Sequence, residues 1–155
     1  MPSATSQLVG DTAKAAVDAI GITVPGSSPP GSVPSVKRKT PSVPEGESNG
    51  LPQFVISVGA EERSEYLTAT LKVKTYPVAV TIVTSTGRQL ADDNTVRLWR
   101  QQIELALEAR SSWANLVGFN DAEITNKAPF DTGALSQDFN YSTVVARVSV
   151  VETRG

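Results

Sequence analysis

The sequence contains no cysteine and no histidine. Without histidine, Ser-His-Asp and Cys-His nucleophilic machinery is excluded, because both need an imidazole that titrates near neutral pH. Zinc sites, which draw on His or Cys in nearly every case, lose their usual ligands. Without cysteine there is no disulfide framework, no thiolate metal site and no thiol nucleophile, and the redox compartment stays open. An enzyme built on this chain would have to use carboxylates, Lys, Tyr or a cofactor. There is no GxGxxG, no P-loop and no EF-hand pattern, so nucleotide and calcium chemistry has no support, and no cofactor is expected. No apolar run reaches 18 residues, so no membrane span is expected. Residues 1–10 lack the basic and apolar regions of a secretory signal. Charge is also sparse. Charged residues make up 19% and the formal net charge is -2, so no basic field favours nucleic acid.

What is present fits one domain of 155 residues with a hydrophobic core. From Ser3 to Ile20, Leu8, Val9, Ala13, Ala16, Val17 and Ile20 recur at helical spacing. Gly21 follows where a helix C′ glycine belongs. Residues 22–50 differ in kind. They hold Pro25, Pro29, Pro30, Pro34, Pro41 and Pro44 among many Ser and Gly residues, with no aromatic. That composition predicts a linker or extended arm, one that a partner would order.

Strands are expected after the arm, at Phe54 to Val58, at Glu65 to Lys74 and at Val78 to Thr84. The second alternates, with Leu67, Ala69, Leu71 and Val73 on one side. Tyr76-Pro77 should interrupt the ladder before the third. The third is nearly all apolar, which suits a strand covered on both faces. Asp92 or Asp93 can cap a second helix. Val96, Trp99, Ile103, Ala106, Leu107 and Arg110 share its inner face, with Trp99 as core anchor and Arg100 spaced to pair with Glu104. A short strand near Ala122 to Thr125 and a last, strongly alternating strand from Phe139 to Val151 complete the chain. The order predicts an α+β fold: an antiparallel or mixed sheet of about five strands, two helices on one face, and the long proline-rich arm.

Few residues suggest chemistry. Asp92-Asp93 is explained by helix capping. Asp121, Glu123 and Asp131 show no partner spacing and read as solvated turns. Lys37-Arg38-Lys39 is the one concentrated positive run. It fits a phosphate or nucleic-acid contact, docking on an acidic protein surface, or simply a solubilising loop tip. Arg38, Pro41 and Pro44 match an R-x-x-P-x-x-P spacing that a polyproline-reading domain could bind, though such spacings arise often in Pro-rich segments. Asn140-Tyr141-Ser142 is a glycosylation sequon, which matters only on a secretory route.

The element order resembles a family. A leading helix and an extended arm precede a β-hairpin ending in Tyr76-Pro77-Val78-Ala79-Val80. A helix built on Leu98-Trp99-Arg100-Gln101-Gln102-Ile103 and a closing strand follow. Together, over about Ser3 to Thr153, they are similar to the tail-terminator (tail-completion) proteins of long-tailed bacteriophages and related particles. The resemblance implies a homo-hexameric ring in the virion, between the tail tube protein and the head–tail connector protein. It implies no enzyme activity, and DNA passing through the channel without sequence-specific binding. Expected subunit contacts are Val78, Val80 and Ile82 on the strand, Trp99 and Arg100 on the helix, and the arm at Pro34, Lys37, Arg38, Lys39, Pro41 and Pro44. Other readings are a connector stopper, a tail tube subunit or a capsid decoration protein. More distant ones are a carboxylate-based enzyme and a peptide-docking adaptor.

Overall fold

A computed structural model of the chain describes residues 5–23, 31–42, 52–60, 62–85, 93–125 and 139–153. In chain order the elements are α1 (Thr5–Ile20), β1 (Ser35–Lys37), β2 (Gln53–Val58), β3 (Arg63–Tyr66), β4 (Leu71–Ser85), α2 (Asp93–Glu108), β5 (Phe119–Thr125) and β6 (Phe139–Thr153). A short 3-10 helix, Arg110–Trp113, joins α2 to β5. The fold is α+β. The six-stranded sheet runs β1-β2-β4-β6-β5, with β3 also paired to β4. β1 is parallel to β2, and the other pairings are antiparallel.

Alternation in the strands decides which side chains meet the helices. Phe54 and Ile56 of β2, Val78, Val80 and Ile82 of β4, and Val144, Ala146, Val148 and Val150 of β6 share one face and one core cluster. Against them lie Val9, Ala13 and Val17 of α1 and Trp99, Ile103 and Leu107 of α2. Both helices therefore cover the same face. The opposite face is also buried at Val55, Ala79, Thr81, Val83 and Val145. The nearly all-apolar run Val78 to Thr84 within β4 is thus buried on both faces, as its composition predicts.

α1 stops at Gly21, which takes a left-handed φ of 74° that a side chain would disfavour. Leu8, expected in its apolar stripe, is exposed. Trp99 is the anchor expected of it, meeting Phe54 edge-on with ring centroids 5.8 Å apart. Arg110 departs from its expected place on α2. It sits beyond the helix end, over the Phe119 ring, and donates to the Asn120 carbonyl at 3.3 Å. Of the two expected caps, Asp93 is the first residue of α2 and Asp92 lies outside the described residues. Trp113 fills the corner between α2 and β5. Its indole N–H donates to the Leu107 carbonyl at 2.8 Å, and its ring stacks on Phe119 at 5.7 Å.

Two strand expectations are corrected. Glu65 to Lys74 is not one strand but a hairpin, turning at residues 67–70. The Thr68 hydroxyl accepts from the N–H groups of Thr70 and Leu71 and closes the turn. Tyr76-Pro77 does not break β4, which pairs with β6 through fifteen registers without interruption. The Pro77 carbonyl accepts from Gly59 N–H at 2.9 Å. In an extended strand the nitrogen of a residue points the same way as its carbonyl. The missing donor therefore faces the seam where β2 ends and β3 begins, and the β6 ladder loses nothing.

The arm is corrected in part. Residues 31–42 lie against their own chain. Val33 is buried, and β1 adds to β2 through Phe54 N–H to the Pro34 carbonyl and Arg38 N–H to the Ile56 carbonyl, both at 2.9 Å. β1 raises the strand number to six. Ile22 is buried and Thr23 bridges Ser32, while residues 24–30 and 43–50, with Pro25, Pro29, Pro30 and Pro44, lie outside the described residues.

Candidate subunit interface

The structure separates the expected contact residues into two groups. Val78, Val80 and Ile82 are fully buried inside the chain, beneath the helices. Their side chains face the subunit's own core, so they cannot reach a neighbour. The burial that their composition predicts is present, and the cover is intramolecular. Trp99 is committed to the core in the same way. Arg100 is half-buried and holds α2 to the sheet. Its Nε donates to Glu104 at 3.2 Å, and its Nη1 to the Ser142 hydroxyl at 2.9 Å.

The arm residues stay nearer the surface. Pro34, Lys37 and Lys39 are exposed, and Arg38 is half-buried. Arg38 donates to the Gln53 side chain at 3.2 Å, and Lys37 pairs with Asp11 of α1. Pro41 is buried. A polyproline-reading domain needs the arginine and both prolines presented outward. With Arg38 bonded inward and Pro41 buried, that docking motif is not on display. Around Lys37, Arg38 and Lys39 lies an open cavity of about 400 Å³, floored by Ile56 and Val58 and rimmed by Ser6 and Gln7.

Asp121 and Glu123 are not isolated turn residues. They stand exposed on β5 and share a polar concavity of about 460 Å³ with Glu62, Arg147, Thr75 and Ser149. Arg147 Nε donates to Glu62 at 2.6 Å. Glu62 and Arg147 come from distant parts of the chain, so sequence spacing could not reveal this grouping. Asp131 lies outside the described residues. Among the described residues, no group of three or more His, Cys, Asp or Glu side chains could hold a metal ion.

A further surface escaped the sequence reading. β4 and β6 are fifteen residues long and each α-helix sixteen. At ~3.3 Å per strand residue and ~1.5 Å per helix residue, the strands run roughly 50 Å and the helices roughly 24 Å. The helices cannot cover the whole sheet. At the β3–β4 end, Thr5, the first described residue of α1, donates its hydroxyl to the Glu152 carboxylate. Beyond it residues 64–70 are exposed, including Tyr66 at 58% and Leu67 at 59%. On α2, Leu98 and Leu105 form a second exposed apolar row, seven residues apart.

Two carboxylates are tuned by their neighbours. Partial burial pushes the Asp18 carboxyl up, but hydrogen bonds from Ser35 and Lys14, with the Lys14 charge, hold it below its ordinary value. Burial likewise pushes Glu152 up, and Thr5, Lys74 and Lys72 outweigh it and hold it low. Both contacts tie α1 to the sheet, the first at its C-terminal end and the second at its start.

Among the described residues, no helix is long and apolar enough to cross a membrane. No family model matches the chain, and no curated protein matches it either.

Proposed function

We propose that this chain is a virion structural subunit of the tail-terminator kind. It assembles into a ring that caps a tail tube and joins it to the head–tail connector of a long-tailed phage or related particle. Its work is binding to copies of itself and to those two neighbours, without catalysis or cofactor. DNA passes the ring without base-specific contact.

The observation that carries the reading is the sheet that outruns its helices. A hairpin end bearing exposed Tyr66 and Leu67 exposes apolar surface that burial against another molecule would stabilise. Aromatic and large aliphatic side chains on a projecting element are what subunit contacts use as anchors. A neighbouring copy of the chain is the partner assigned to that hairpin.

Light scattering on the purified protein, with particle images, tests the proposal. A ring of fixed subunit number is expected, and Tyr66→Ser with Leu67→Ser should weaken it while leaving the circular dichroism spectrum intact. Open-ended tubes would point to a tube subunit instead. A monomer at high concentration would overturn the ring.

A further inference from the structure

The solvent side of α2 reads much the same in both directions. Asn94, Arg97, Leu98, Gln101, Leu105 and Glu108 are exposed. At 3.6 residues per turn they fall in one stripe, opposite the buried Trp99, Ile103 and Leu107. Within the stripe Leu98 is 54% exposed and Leu105 64%. Arg100 and Glu104 stay on the flank, where Arg100 bonds both Glu104 and Ser142 of β6. Two large leucines left in water on a helix so well packed beneath are surface that a partner would bury.

Along the stripe the order is Arg97, Leu98, Gln101, Leu105, Glu108. Leu98 and Leu105 are equally far from a point between Gln101 and Gln102, and Arg97 and Glu108 nearly so. Arg97 and Glu108 are separated by about three helical turns, so they share one edge of the stripe. A second α2 can lie antiparallel on the first, with a twofold axis through that point. Each Leu98 then meets Leu105 of the other copy. Each Arg97 comes within about two residues, or ~3 Å along the axis, of the other copy's Glu108. The two Gln101 amides meet at the axis, where each can donate and accept. A parallel alignment would set Arg97 on Arg97 and Glu108 on Glu108, which repel. The seven-residue leucine spacing also suits the shallow crossing of packed helices. Charge and apolar pattern therefore select the same occupant, a second copy in one orientation.

We infer that two copies of the chain pair through α2, antiparallel about a twofold axis near Gln101, with Leu98 on Leu105 and Arg97 on Glu108. The contact is isologous and closes on itself. It goes beyond the ring proposed above, which needs a head-to-tail contact, and it uses neither Tyr66 nor Leu67. One helix face is smaller than a standard interface, so the pair is weak and reversible.

The chain has no cysteine, so one introduced thiol reads the geometry. Gln101→Cys places two thiols at the twofold axis, where a disulfide can join Cα atoms less than about 7 Å apart. Mild copper-catalysed oxidation in air should give a covalent dimer and nothing larger. Asn94→Cys, whose two copies lie roughly 20 Å apart along the axis, should stay uncrosslinked. Added to Gln101→Cys, either Arg97→Glu or Glu108→Arg sets like charges together and should slow crosslinking at least about tenfold. Both changes in one chain, or the two charge variants mixed one to one, should restore the rate, a repair that a damaged helix would not show. All these positions are exposed, and circular dichroism of each variant should match the wild type. An uncrosslinked Gln101→Cys, equal crosslinking of Asn94→Cys, or charge reversals that neither slow the reaction nor repair each other would overturn the α2 contact. None of these results touches the ring reading, which the hairpin variants test.

Discussion

Replacing Gly118 by alanine should destabilise the fold far more than the same change at Gly21. Both glycines take left-handed φ values, 84° and 74°. For an L-residue that conformation alone costs about 1 kcal/mol. At Gly21 nothing lies within 4 Å of an added Cβ, so the backbone cost stands alone. At Gly118 the new Cβ would sit 2.3 Å from the Val151 carbonyl oxygen and 3.4 Å from Val150 Cγ1. The Gly118 carbonyl also accepts the Val151 N–H at 2.7 Å. Relieving the clash moves one strand against another and weakens that bond, adding roughly 2 kcal/mol. Gly118→Ala should therefore cost about 3 kcal/mol and Gly21→Ala about 1 kcal/mol. Urea unfolding at matched protein concentration measures both, as the shift in midpoint multiplied by the slope. Equal losses, within about 0.5 kcal/mol, would mean that the turn into β5 does not press on β6 as described.

Other consequences are as direct. Trp113→Phe removes an indole N–H bonded to the Leu107 carbonyl at 2.8 Å and leaves a void, so a loss of about 2–3 kcal/mol is expected in thermal or urea unfolding. Trp99→Ala empties a core position against Phe54 and should cost about 3–5 kcal/mol by the same measure. The Glu152 carboxyl is held below its ordinary value of 4.5, so its contribution to stability is complete above about pH 4.5 and fades as pH falls through the lower folded value. Glu152→Gln should flatten the acid side of a stability-against-pH curve and leave the shape near neutrality unchanged.

Much of the architecture was legible because single residues marked it. Gly21 closed α1, the spacing of Val96, Trp99, Ile103 and Leu107 placed the inner face of α2, and Val144, Ala146, Val148 and Val150 faced the core as their alternation predicted. The hairpin escaped for a physical reason. Leu67, Ala69, Leu71 and Val73 keep period two straight through the turn, and Thr68 and Thr70 favour strands as readily as they close turns. β1 escaped because three residues in a Pro-rich segment give no periodicity. The candidate interface was only half visible. Lys37 to Lys39 stood out as a run, but nothing local shows that Asp121 and Glu123 meet Glu62 and Arg147, or that the two clusters end up on opposite sides of one sheet. Val78, Val80 and Ile82 misled because an apolar strand looks the same whether its cover is a helix or a neighbour.

The β4–β6 ladder has a kinetic side. Even its closest pair along the chain, Ser85 with Phe139, is separated by α2 and β5. During synthesis β4 emerges long before the strand that will flank it, and pairing must wait for a large loop to close. Until then the apolar run at Val78, Ala79, Val80, Ile82 and Val83 is left without its main partner. Slow refolding from denaturant, with losses to aggregation that grow with concentration, is the behaviour this ordering imposes.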